Sequence, residues 1–104
     1  MTEEKVACRT PAEGRDGVTN IPKWKYDLMR GFILEMVRDA GPDGMPFSKM
    51  KDALQTRMST AQARDLGSAG WHVTVVKLNM EVQGELVRVA GKGPQRIVLA
   101  PSQD

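Results

Sequence analysis

The chain has little of what most active sites and disulfide-built scaffolds are made of. A single cysteine, Cys8, stands among 104 residues, so it can form no intrachain disulfide and no cysteine-based zinc site. It reads as an inert thiol on a loose arm. The one histidine, His72, has no serine or cysteine in a triad or elbow context, and periodicity puts no acidic partners beside it for metal ligation. No glycine-rich loop follows a strand and opens a helix. Catalysis, a metal, a cofactor and a small-molecule ligand are therefore not expected. The longest apolar runs, such as Val73 to Val76, fall far short of the roughly 18 residues a membrane span needs. Residues Met1 to Cys8 carry two acids and no apolar signal core, so the expectation is a cytoplasmic protein with no membrane association. Charge of one sign is scarce too: 15 Lys and Arg against 13 Asp and Glu, a net +2, too little to argue for nucleic acid without regard to placement.

What is present is 40% hydrophobic residues, enough for one domain with a modest core. Residues 1–20 mix Pro11, Gly14 and Gly17 with alternating charges and read as an extended arm. Thr19 or Asn20 then offers a cap and Pro22 a first-turn residue for a helix running to about Asp39. Its Tyr26, Met29, Ile33, Met36 and Val37 fall on one face. Gly41-Pro42-Asp43-Gly44 ends it, and Met45-Pro46-Phe47 is a candidate edge strand. Ser48 is the expected cap of a second helix bearing Phe47, Met50, Leu54 and Met58, extended by a further turn through Leu66.

Trp71 to Gln83 alternates like a strand at its start, yet it runs about twice a usual strand length before Gly84, so a third helix is expected. Leu86–Val89 and Arg96–Leu99, separated by a Gly/Pro loop, form a hairpin. Residues 101–104 complete the chain as a tail.

This order of helix, short strand, helix, helix and hairpin resembles the winged helix-turn-helix superfamily. The segment Leu78-Asn79-Met80-Glu81-Val82-Gln83-Gly84-Glu85-Leu86-Val87-Arg88-Val89 is similar to the ending of many third helices there. More narrowly, Ile21-Pro22-Lys23-Trp24-Lys25-Tyr26 with Leu66-Gly67-Ser68-Ala69-Gly70-Trp71-His72 looks like an uncharacterised family of small bacterial proteins. The resemblance implies an α+β, mostly α, winged-helix domain over residues 21–100. In members that bind DNA the third helix enters the major groove and the wing reaches phosphates or the minor groove. That implies roles for Thr74, Lys77 and Lys92.

Two functional readings stay open. In the first, a DNA-binding protein acting in transcription regulation uses Thr74 and Lys77 with Arg88, Lys92 and Arg96, the wing bearing no acid from Leu86 to Gln103. Gly91 and Gly93 either admit a phosphate or simply supply a hairpin's positive φ. In the second, the third helix is apolar on two sides. Val73, Val76 and Met80 face the core, while Val75, Leu78 and Val82, in line with Trp71, meet a homodimer mate, a protein partner or a cover from the chain itself.

Overall fold

The computed structural model describes residues 4–9, 19–91 and 93–101. It opens on a two-stranded antiparallel sheet in which β1 (Lys5–Cys8) pairs β2 (Thr19–Pro22), Val6 opposite Ile21 and Cys8 opposite Thr19. The arm expected over residues 1–20 is thus corrected: Lys5–Cys8 and its last two residues are strand, and residues 1–3 and 10–18 lie outside the described residues. Thr19 and Asn20 are not helix caps either. Helix α1 (Lys23–Ala40) starts after Pro22, and its first orphan amide, Lys23 N–H, donates to the Glu4 carbonyl at 2.8 Å. Strand backbone does the work expected of a capping side chain.

The chain leaves α1 through Gly41 and a single 3-10 turn (Gly41–Asp43), then turns at Gly44, whose φ of 88° and ψ of 156° lie in a region essentially restricted to glycine. Strand β3 (Met45–Pro46) leads directly into α2 (Phe47–Arg57). This helix begins one residue before the expected cap Ser48, because Phe47 N–H donates to the Gln95 carbonyl at 2.9 Å. The second helix does not continue through Leu66. It stops at Met58, whose ψ of 145° is extended, and α3 (Thr60–Leu66) restarts on a capping box of Ser59 and Gln62. Ser68 caps the next helix, α4 (Ala69–Val82), by accepting from Trp71 N–H at 3.2 Å.

Strands β4 (Leu86–Arg88) and β5 (Arg96–Leu99) form the expected hairpin, and the three-stranded sheet has the order β3-β5-β4, with Met45 opposite Ile97 and Leu86 opposite Leu99. The fold is α+β and mostly helical, with four helices among the described residues instead of the three expected. Its core gathers Tyr26, Met29, Ile33, Met36 and Val37 of α1, Met50 and Leu54 of α2, Leu66 of α3 and Val73, Val76 and Met80 of α4, closed by Leu86 and Ile97. No helix of the described residues is long and apolar enough to cross a membrane.

Candidate functional site

Helix α4 is where the sequence placed most of its candidates. With a turn of about 100° per residue, its buried residues Ala69, His72, Val73, Val76, Lys77, Asn79 and Met80 cover an arc of roughly 160°. The remaining arc is centred on Trp71, Val75, Leu78 and Val82. Trp71 and Val82 are 47% and 40% exposed, while Val75 and Leu78 are half-buried.

Both polar flanks of this helix are closed by the chain itself. On one, Asn79 is buried. Its Nδ2 donates to the Tyr26 hydroxyl at 2.8 Å and its Oδ1 accepts from Arg9 N–H at 3.0 Å, tying the N-terminal sheet to α1 and α4. His72 lies beside it, with Nδ1 donating to the Ser68 carbonyl at 2.6 Å, and its ring meets that of Trp71 edge-on at 4.8 Å. On the other flank, Lys77 is 1% exposed, which corrects its expected role as a nucleic-acid contact. Its stem runs under Phe47, whose ring centroid is 4.4 Å from Nζ, and Gln95 of the wing loop accepts from the ammonium. Nζ is 3.3 Å from Oε1 of Glu81, whose side chain is itself 6% exposed. Burial pushes the Lys77 pKa below the ordinary lysine value, with Glu81 pulling it back up.

The other candidates divide. Thr74 is half-buried, its Oγ1 donating to the Gly70 carbonyl at 2.8 Å. Arg88 is at the surface but holds Glu81 in a fork, Nε at 2.6 Å and Nη2 at 3.1 Å, so the hairpin's first cation is neutralised by an acid from α4. Arg96 is exposed, with Nη1 3.4 Å from the Asp43 carbonyl. Lys92 lies outside the described residues. The structure therefore brings Lys77 and Arg88 together around one glutamate and not onto an open basic face.

Cys8 is also corrected. It is buried at 3% exposure, and burial raises its thiol pKa from 9.0 to about 11, which suppresses the thiolate. A cleft of about 370 Å³ between the wing loop and the 3-10 turn is lined by Pro42, Asp43, Val89, Pro94 and Arg96, with no nucleophile and base paired in it. Among the described residues no three His, Cys, Asp or Glu side chains cluster as metal ligands.

A family model described as a family of unknown function (DUF6958) matches residues 5–97. The chain belongs to that family. No match was found among curated proteins or among solved structures. The matched span begins on the first residue of β1, so the N-terminal sheet is part of the family's unit and not an appendage to it. Nothing in the local pattern of Lys5 to Cys8 had singled it out beyond a short alternation of Val6 and Cys8.

Proposed function

We propose that this domain is a protein-interaction module on a winged-helix scaffold, in which α4 offers an apolar stripe to a protein partner and does not read DNA bases. The scaffold reading is supported by the element order α1, β3, α2, α4, hairpin and by the strand order β3-β5-β4, with α3 as an added turn between α2 and α4. The interaction reading is carried by one observation: the polar side chains of α4 are spent on contacts within the chain, and its outward arc is apolar, led by exposed Trp71 and Val82. Base reading needs donors and acceptors aimed outward, whereas a buried-aromatic anchor on an apolar strip is what protein interfaces use. A photo-crosslinking residue at Val82, incorporated in cells, is expected to yield protein adducts, and the same residue at exposed Thr56 of α2 is not. Adducts only to nucleic acid, or equal yields at the two positions, would overturn the reading.

A second reading, duplex DNA held by the wing, is favoured by Arg96, which is exposed and has no carboxylate partner among the described residues. It requires binding that falls steeply with salt and weakens on Arg96→Glu. Absence of binding at low salt removes it.

A further inference from the structure

Independently of the reading of α4, we infer that the cleft beside Pro42 is a binding site for a free apolar α-amino acid, recognised by its two charges and its side chain together. Two hollows meet there. The larger, of about 370 Å³, lies between the wing loop and the 3-10 turn and has Asp43 and Arg96 in its wall. The smaller, of about 240 Å³, is walled by Val37 near the end of α1 and by Val98 and Leu99 of β5, with Arg38 beside them. Pro42 belongs to both walls, so the two hollows adjoin. A polar compartment joined to an apolar one is the general build of a small-ligand site.

The charges in the larger hollow identify the ligand. Arg96 and Asp43 are opposite in sign and adjacent, yet they form no ion pair among the described residues: Nη1 of Arg96 lies 3.4 Å from the backbone carbonyl of Asp43 and leaves its carboxylate unengaged. Elsewhere Arg30, Arg57, Arg64 and Arg88 are each held by a carboxylate. The spacing is set by backbone. A Cβ at Gly44 would stand 3.1 Å from the Arg96 Cβ, so the 3-10 turn and the start of β5 pack as closely as glycine permits. An acid and a base placed side by side without pairing suit a ligand that carries both charges on one carbon, its carboxylate on the guanidinium and its ammonium on Asp43. A plain anion satisfies Arg96 but is opposed by Asp43, and phosphate, with more charge, is opposed more. The ligand's side chain then passes Pro42 into the smaller hollow, which has room for one of leucine to phenylalanine size and, through Arg38, disfavours lysine and arginine. Asp43 and Arg96 are 53 residues apart, so no local motif announces the site.

Titration of the isotope-labelled full chain with L-leucine, followed by amide chemical shifts, tests this. A ligand of about nine heavy atoms in an open cleft is expected to bind with a dissociation constant on the order of 1 mM. The amides of Gly41, Asp43, Gly44, Val89 and Arg96 to Leu99 should shift, and those of α4 should not. Glycine lacks the side chain, N-acetyl-leucine the ammonium and leucine amide the carboxylate; each should bind about 10-fold more weakly than leucine, or worse. Arg96→Gln and Asp43→Asn, both at exposed positions, should each weaken leucine binding about 10-fold with the fold unchanged by circular dichroism. Absence of a saturable shift up to ~20 mM leucine overturns the inference. So does binding of N-acetyl-leucine or of leucine amide as tight as that of leucine, which would mark the cleft as a holder of a peptide's C-terminus or N-terminus instead. Inorganic phosphate reproducing the leucine shifts, or leucine binding indifferent to either substitution, overturns it equally. The Val82 crosslink reads a different face, so neither experiment decides the other.

Discussion

Glu81 and Lys77 form a pair whose two members should respond very differently to substitution. Lys77 is almost fully enclosed, and its ammonium has three neighbours: Glu81, Gln95 and the face of Phe47. Glu81→Gln keeps the shape but strands a buried cation next to Arg88, a loss of about 3 to 5 kcal/mol. Lys77→Met keeps the stem's volume, and Glu81 retains its fork from Arg88, so no buried charge is orphaned. The loss is then the Gln95 hydrogen bond and the contact with Phe47, together about 1 kcal/mol. Midpoint temperatures should fall by roughly 15 °C or more for Glu81→Gln and about 5 °C for Lys77→Met. Thermal and urea unfolding followed by far-UV circular dichroism are the suitable assays, since Trp24 and Trp71 are already exposed and report poorly on the core. There is a pH signature too. The folded Lys77 pKa is lowered, so in the alkaline range below 10.5 this group binds more protons in the unfolded chain, and its own contribution to stability rises with pH, opposite in sign to that of Cys8. Glu81→Gln should steepen that rise relative to wild type, and Lys77→Met should abolish its Lys77 share. Equal destabilisation by the two substitutions would refute the reasoning. So would a Lys77→Met variant of unchanged stability whose only defect is in nucleic-acid binding.

Three further outcomes follow from the same geometry. Gly44→Ala forces a Cβ to within 3.1 Å of the Arg96 Cβ and 3.3 Å of the Ile97 carbonyl, at a φ that alanine avoids; a loss of about 2 to 4 kcal/mol is expected in chemical denaturation. Asn79→Ala leaves the Tyr26 hydroxyl and Arg9 amide without their partner, at a cost of about 2 to 3 kcal/mol, and hydrogen exchange should show residues 5–8 losing protection before the helices do. The Cys8 thiol is raised to about 11, so the folded chain retains a proton there that the unfolded chain sheds above 9.0, and the Cys8 contribution to stability falls as pH climbs through that window. Cys8→Ala should flatten this alkaline loss in urea titrations, leaving the same-signed share of Tyr26, whose burial also raises its pKa.

Where the fold follows from local periodicity, the residues themselves announce it. The apolar face of α1 was legible residue by residue, from Tyr26 to Val37, and the length of the run from Trp71 to Gln83 decided for a helix against its β-branched opening. The Gly/Pro loop between two β-rich runs marked the hairpin. What escaped depends on contacts distant in sequence. β1 is four residues long and finds its partner across a connection to Thr19, and it also supplies the carbonyl that starts α1. Ser59 and Gln62 carry a readable capping signature, which the structure uses and which the expectation of a helix continuing through Leu66 passed over. Lys77 misled most. Its flank reads as solvated because the groups that cover it, Phe47 and Gln95, lie 30 residues before it and 18 after it.

That cover bears on what α4 is able to do. To reach a base or phosphate, Lys77 would have to leave Glu81 and Gln95 and open the contact between the wing loop and the start of α2, where Gln95 also accepts from Phe47 N–H. Asn79 could turn outward only by giving up the Tyr26 hydroxyl of α1 and the Arg9 amide next to β1, which releases the N-terminal sheet from α4. Lys77 and Asn79 are thus also ties that hold two elements in place, and using either outside the chain would cost the fold that presents it. Trp71 and Val82 carry no such double duty. Their outward surface is available without breaking any internal hydrogen bond, and removing it from water is favourable by about 25 cal/mol for each Å² buried. Under the proposed reading, a partner would cover this apolar stripe while the polar flanks on either side stay engaged within the chain.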